Sequence, residues 1–154
     1  MIVIADTSGL FAALDLDHPL AEAAHQIVQT AGLIVVSPLV LAELDHLARR
    51  SARLSGQIKA LGSKRAHAIS CWISTQHIAG RIAIPEVGGI VLANAVKVMA
   101  RYHDLHLDLA DAINVALASE YDTNAVLTLD ERDFRVIQPL KGYEAFRLLP
   151  KDQE

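Results

Sequence analysis

The first nine residues, MIVIADTSG (residues 1–9), decide the fold class of this chain. Ile2–Ala5 is a short apolar run rich in β-branched side chains, which is typical of a buried strand. Asp6, Thr7 and Ser8 follow at once, and residues of these types cap the start of a helix. A buried strand that passes directly into a helix is the first unit of an α/β protein.

The same alternation of short apolar runs and helical patterns continues along the chain. Further strands are predicted at 33–36, 82–84 and 125–129, with an edge strand at 146–149. Helices are predicted from the His18-Pro19 pair to Gly32, from Ser37-Pro38 onward, over Ile90–Tyr102, and from about Asp108. A helical hairpin, broken at Gly56 and Gly62, is predicted between Ser51 and Gly80. Such alternation predicts a mostly parallel central β-sheet flanked by α-helices.

Length and composition are those of one globular domain. The chain has 154 residues, of which 52% are hydrophobic and 21% charged. We predict a single domain over 1–150 and a polar tail at 151–154. No uninterrupted run of about 18 apolar residues predicts a membrane span, and no basic segment precedes the first apolar run, so we expect a cytoplasmic protein. Cys71 is the single cysteine, and we expect it to be a small buried hydrophobe.

Basic residues are concentrated in the middle of a chain whose net charge is −4. Residues 46–85 hold seven of the 14 Lys and Arg residues and none of the 18 Asp and Glu residues, so the remainder carries −11. This segregation fits either a basic face for a polyanion or a solvated helical surface. The side chains in this segment that could contact a nucleic acid or another polyanion are Arg49, Arg50, Arg53, Lys59, Lys64 and Arg65.

Four acidic residues from distant parts of the sequence are predicted to meet at one edge of the sheet. Asp6 and Asp130 each follow an apolar strand, and parallel strands end at a shared edge. Glu43 and Asp111 lie on early turns of helices that begin near that edge. Converging carboxylates repel one another unless a cation lies between them, and an all-oxygen ligand set favours Mg²⁺ or Mn²⁺ over zinc. Such a cation is well suited to phosphodiester hydrolysis.

Each acid also has a purely structural interpretation. The alternatives are N-caps at Asp6 and Asp108, a solvent-facing helix residue at Glu43, a first-turn acid favoured by the helix dipole at Asp111, and turn residues at Asp130 and Asp133. Spacing alone leaves both interpretations open.

Four segments resemble, in order, the motifs of the PIN-domain ribonucleases. They are IVIADTS (2–8), VVSPLVLAEL (35–44), LADAINVALA (109–118) and LTLDERDF (127–134). The resemblance implies a PIN-like α/β fold, a homodimer and an endoribonuclease that depends on Mg²⁺ or Mn²⁺. It also implies metal-binding, catalytic carboxylates at Asp6, Glu43, Asp111 and Asp130, with Asp133 as the other candidate for the fourth acid and a hydroxyl at Thr7 or Ser8 beside the first.

Within this family the sequence is similar to the VapC toxins of bacterial toxin-antitoxin pairs. That resemblance implies a VapB-type antitoxin whose C-terminal segment occupies a groove of the toxin, and a structured RNA substrate such as the ribosomal sarcin-ricin loop or tRNA. Segment 51–76 departs from the pattern by its length. The alternative is a PIN-like module that binds RNA or protein without cutting. An aspartyl-phosphate enzyme is disfavoured because Asp6 lacks a second acid two residues further on.

Overall fold

A parallel sheet lies at the centre of the molecule. The computed structural model describes residues 1–15, 17–54, 59–105 and 107–153, with side chains left undescribed at 51–54 and 59. In these ranges the strands are β1 (Ile2–Ala5), β2 (Leu33–Val35), β3 (Ile82–Ala83), β4 (Ala125–Leu127) and β5 (Arg147–Leu149). All neighbouring pairs are parallel, in the order β3-β2-β1-β4-β5. The predicted mostly parallel sheet is confirmed, and its first strand is central.

Helices cover both faces of the sheet. They are α1 (Thr7–Leu14), α2 (Ala21–Thr30), α3 (Pro38–Leu54), α4 (Lys59–Ile78), α5 (Gly89–Arg101), α6 (Leu109–Glu120) and α7 (Glu131–Phe134), with a 3-10 turn at His103–Leu105. None of the described helices combines the length and the apolar character that a membrane crossing requires.

The predicted helix boundaries need two corrections. The second helix begins at Ala21, not at Pro19, because residues 18–20 form a turn in which Leu20 N donates to His18 Nδ1 (3.1 Å). Gly62 lies buried within α4 and does not break it. The predicted break at Gly56 lies outside the described residues.

The sheet separates two hydrophobic cores because successive side chains of a strand point to opposite faces. Val3 and Ala5 pack with residues of α1–α4, whereas Ile4 packs with residues of α5, α6 and α7. Asp6 follows in the register of Ile4, so strand alternation directs it toward the α6 side. The α6 helix is accordingly apolar nearly all round, and residues 112–118 are all buried.

Two surface features complete the fold. Cys71 is exposed on α4, so the expected burial is wrong. The buried apolar side chains of this helix include Ala66, Ile69 and Ile73, and Cys71 falls between the last two. Lys151, in the predicted polar tail, pairs with Glu131 (2.5 Å).

Candidate metal centre

Asp6 lies at the carboxyl end of β1 and is only 5% exposed. Its Oδ2 accepts hydrogen bonds from Ser8 Oγ (2.7 Å) and Thr128 Oγ1 (2.9 Å), and a longer one from Ser8 N (3.4 Å). Asp6 is also the N-cap of α1, so the capping role that the sequence allowed for it is present. Because these bonds all end on Oδ2, Oδ1 is the oxygen that remains for another ligand.

The two hydroxyls that hold Asp6 also hold the loop after β4. Leu129 N donates to Ser8 Oγ (2.9 Å), and Asp130 N donates to Thr128 Oγ1 (3.0 Å). The start of α1 and the loop that carries Asp130 therefore form one network. Thr128 is not among the residues that sequence reasoning selected, although a hydroxyl directly after an apolar strand, at the sheet edge, was a usable signal.

Glu43 reaches the site through a neighbour of Asp6. Thr7 Oγ1 donates to Glu43 Oε2 at 2.6 Å, which links the first turn of α1 to α3. Glu43 is exposed, so it lies at the rim of the acidic edge, the end of the sheet where Asp6, Asp111 and Asp130 lie.

Asp111 is half-buried in the first turn of α6. Its backbone N donates to Asp108 Oδ1 (2.9 Å), which confirms Asp108 as the N-cap. Burial raises the pKa of Asp111 to about 8, and the nearby charges of Asp108, Asp6, Asp130 and Asp133 add to the rise. The structure thus places Asp6 and Asp130 within electrostatic reach of Asp111.

The two candidates for the fourth acid differ in their surroundings. Asp133 is 5% exposed, and its Oδ1 accepts from Arg132 Nε (3.0 Å). Asp130 is half-buried at the start of α7 and forms no ion pair with a described residue. Arg132 therefore bonds directly to Asp133 and acts on Asp130 only through its charge, and both acids contribute to the raised pKa of Asp111.

The donor set fits a hard divalent cation bound partly through water. No three Asp, Glu, His or Cys side chains of the described residues are close enough to form a ready-made metal cage. The acids supply only oxygen ligands. The pKa of Asp111 is raised first by burial and then by the neighbouring acids, and a bound cation would offset that second, electrostatic part. Mg²⁺ commonly uses one or two carboxylates and retains several waters, which matches this open arrangement.

The basic segment is only partly available to a polyanion. Arg49 pairs with Asp45 (2.8 Å), and its hydrogen bond lowers the pKa of that carboxyl. Arg65 pairs with Asp15 (2.9 Å) and lies over the ring of Phe11. The exposed candidates that appear in no ion pair of the described residues are Arg50 and Lys64, and the side chains of Arg53 and Lys59 lie outside the described residues.

An apolar cavity of about 370 Å³ adjoins the acidic edge. It is lined by Leu20, Ala23, Thr128, Leu129, Glu131, Pro150 and Lys151. Thr128 connects this cavity to Asp6, so a ligand in the cavity would lie beside the acids.

Comparison with known proteins identifies relatives over most of the chain. The family model of the PIN domain matches residues 3–138. Ribonuclease VapC26 of Mycobacterium tuberculosis is 32% identical over 141 residues, which cover 91% of this chain and 95% of the relative.

Two solved structures share the fold. VapC20 of Mycobacterium tuberculosis, described as a sarcin-ricin loop cleaving toxin, has a TM-score of 0.69 at 16% identity and covers 84% of this chain and 91% of its own. VapBC2 from Rickettsia felis, bound to a DNA fragment from its promoter, has a TM-score of 0.62 at 15% identity, with coverage of 91% and 96%.

Proposed function

The chain belongs to the PIN-domain family and to its VapC ribonucleases, and from this premise we propose that it is the toxin of a VapBC pair, an endoribonuclease that uses Mg²⁺ or Mn²⁺ to hydrolyse RNA. The observation that carries the proposal is the position of the half-buried Asp111, whose pKa is raised to about 8 by burial and by the charges of Asp6, Asp130 and two further acids. A buried group with that environment is a strong candidate for a functional site.

The proposed ligands are Asp6, Asp111 and Asp130, with Glu43 contributing through water because it is exposed at the rim. When bound, the cation supplies positive charge to the scissile phosphate and lowers the pKa of water. Ser8 and Thr128 orient Asp6 so that Oδ1 faces away from their hydroxyls. Thr7 holds Glu43.

We assign Asp133 a positioning role in preference to a ligand role. Its ion pair with Arg132 offsets its charge, and Val136 N and Ile137 N both donate to its backbone carbonyl. These contacts hold the end of α7 and support the adjacent Asp130.

The proposed RNA contacts are the exposed Arg50 and Lys64, with Arg49, Arg53, Lys59 and Arg65 extending the basic segment. Phosphate contacts of this kind would steer RNA toward the acids without selecting its sequence. The relative described as cleaving the sarcin-ricin loop supports a structured ribosomal RNA as the substrate to test first. An RNA substrate of this kind implies action in the cytoplasm.

Two protein partners are part of the proposal. The Rickettsia felis structure contains a VapBC complex, which supports a VapB-type antitoxin here, and the apolar cavity beside the acids suits one of its side chains. A homodimer is supported by exposed apolar side chains on α5, since Leu92 and Val96, which lie one turn apart, are 42% and 54% exposed.

The deciding experiment maps new 5′ ends after purified protein is incubated with intact ribosomes and total RNA, with Mg²⁺ or with EDTA. We expect discrete, Mg²⁺-dependent cuts that are absent with Asp6→Asn and Asp111→Asn. Binding of RNA without any cut, under every metal, would support the non-cleaving PIN-like module instead. Equal cutting by Asp6→Asn and wild type would reject the assigned site.

A further inference from the structure

Asn114 has an unusual environment among the described residues. It is 0% exposed, and neither its Nδ2 nor its Oδ1 has a hydrogen-bond partner. Other buried polar side chains are bonded: Ser37 Oγ accepts from Val40 N, and Thr123 Oγ1 donates to Ile2 O. A buried amide without a partner is rare in folded proteins and requires an explanation.

The position of Asn114 relates it to the acidic edge. It lies three residues after Asp111 on α6, and residues at this spacing are neighbours on one helix face. Its helical neighbours Ala110, Ile113 and Leu117 are buried and apolar. Asp111 is therefore the polar side chain that the helix itself places one turn from Asn114.

The chemistry of the two side chains is complementary. An ionised carboxylate only accepts hydrogen bonds, and the amide NH₂ of Asn114 supplies donors. Carboxylates that bind a metal are commonly held by a second hydrogen-bonded group, which orients them. We propose that Asn114 is a positioning residue, whose amide, through one buried water, orients the Asp111 carboxylate for divalent-cation binding.

This inference rests on the proposed metal site, and it differs from an ordinary core role in a measurable way. If Asn114 were only a core residue, replacing it with an apolar residue of similar size would leave cation binding unchanged, since an unpartnered amide adds nothing to the site. If it orients Asp111, the same replacement weakens cation binding even when the fold is preserved.

The test measures Mn²⁺ affinity by electron paramagnetic resonance and thermal unfolding in EDTA for Asn114→Leu. We expect Asn114→Leu to unfold at or above the wild-type temperature in EDTA and to bind Mn²⁺ at least about 10-fold more weakly. Asn124→Leu is the matched control, because Asn124 precedes β4 at the opposite edge of the sheet, where it donates to Ala145 O. We expect wild-type Mn²⁺ affinity in this control.

A second pair keeps the test valid if Asn114→Leu fails to fold. Asn114→Ser and Asn114→Ala differ by one oxygen, so a positioning role predicts tighter Mn²⁺ binding by the Ser variant. Equal affinities in this pair, or wild-type affinity in a folded Asn114→Leu, would overturn the inference about Asn114 and leave the proposed metal site intact. If wild type and Asp111→Asn bind Mn²⁺ equally or not at all, the proposed metal site fails and the inference fails with it.

Discussion

Asp6 shows how one side chain serves the fold and the site together. Its Oδ2 accepts from Ser8 and Thr128, while its backbone carbonyl accepts from Leu10 N (2.9 Å) in α1. Hydrogen bonds to an ionised group are stronger than those between neutral groups. The two hydroxyls therefore hold the Asp6 carboxyl group in one orientation at the end of β1.

Thr128→Val tests this arrangement at the residue scale. The variant keeps the shape of the side chain but removes one donor to a buried carboxylate, so we expect the free energy of unfolding to fall by about 1–3 kcal/mol. Urea denaturation measures this change, and Mn²⁺ affinity should fall in the same variant. Thr123→Val is the control, since Thr123 is also buried but bonds to Ile2 O at the opposite edge of the sheet. Its Mn²⁺ affinity should not change; weakening by both variants alike would contradict a local effect.

At the scale of secondary-structure elements, α1 packs unusually close to β4. A Cβ added at Gly9 would lie 2.4 Å from Leu127 O and 2.5 Å from Leu127 C, both backbone atoms. This close approach also places Ser8 beside the loop that carries Asp130. The absence of a side chain at Gly9 is thus a condition for the geometry around Asp6.

Gly9→Ala should therefore destabilise the protein although alanine is the better helix former. We expect the free energy of unfolding to fall by about 1–3 kcal/mol, because α1 must move away from β4. Gly89→Ala at the start of α5 is the matched control, since a Cβ there meets nothing within 4 Å. That variant should be neutral or more stable by up to about 1 kcal/mol. Equal urea midpoints for the two variants would refute the packing argument.

The α3 and α4 helices carry the basic segment, and their ion pairs divide its residues into two groups. Arg49 and Arg65 have acidic partners, whereas Arg50 and Lys64 are exposed and appear in no described ion pair. We expect Arg50→Ala with Lys64→Ala to weaken RNA binding and reduce the slope of log affinity against log salt by about 1–2. Filter binding at several salt concentrations measures the slope. An unchanged slope would place the RNA on another surface.

At the scale of the whole molecule, the acidic edge links stability to pH and to divalent cations. The pKa of Asp111 is raised from 3.8 to about 8 in the folded protein. Between these values the folded state holds a proton that the unfolded state has lost, so stability falls as pH rises. Above the folded-state pKa, Asp111 is ionised in both states, so stability no longer falls further with pH on its account. A bound cation would favour the ionised form and oppose this loss.

We therefore expect the metal-free protein to unfold at a lower temperature at about pH 8 than at about pH 5, with a smaller difference in Asp111→Asn. Thermal unfolding in EDTA measures both. Added Mg²⁺ should raise the unfolding temperature of wild type at the higher pH more than that of the variant. The same pH dependence in both proteins would show that other groups control it.

Local sequence patterns determined much of the fold and selected the acids of the proposed site. Apolar runs and helix caps predicted β1 and β4 and the capping of α6 by Asp108. Because parallel strands end at one edge, strand positions alone brought Asp6 and Asp130 together. These features depend on residues close in sequence, so periodicity and capping chemistry suffice to predict them.

Only the tertiary structure decided the environment of each residue. Thr128 bonds to Asp6 across 122 positions of the chain, Cys71 is exposed where burial was expected, and Asn114 is buried without a partner. The pKa of Asp111 likewise depends on acids from other elements. Burial, hydrogen bonding and charge coupling arise from groups that are distant in sequence, and their positions exist only once the helices have packed on the sheet.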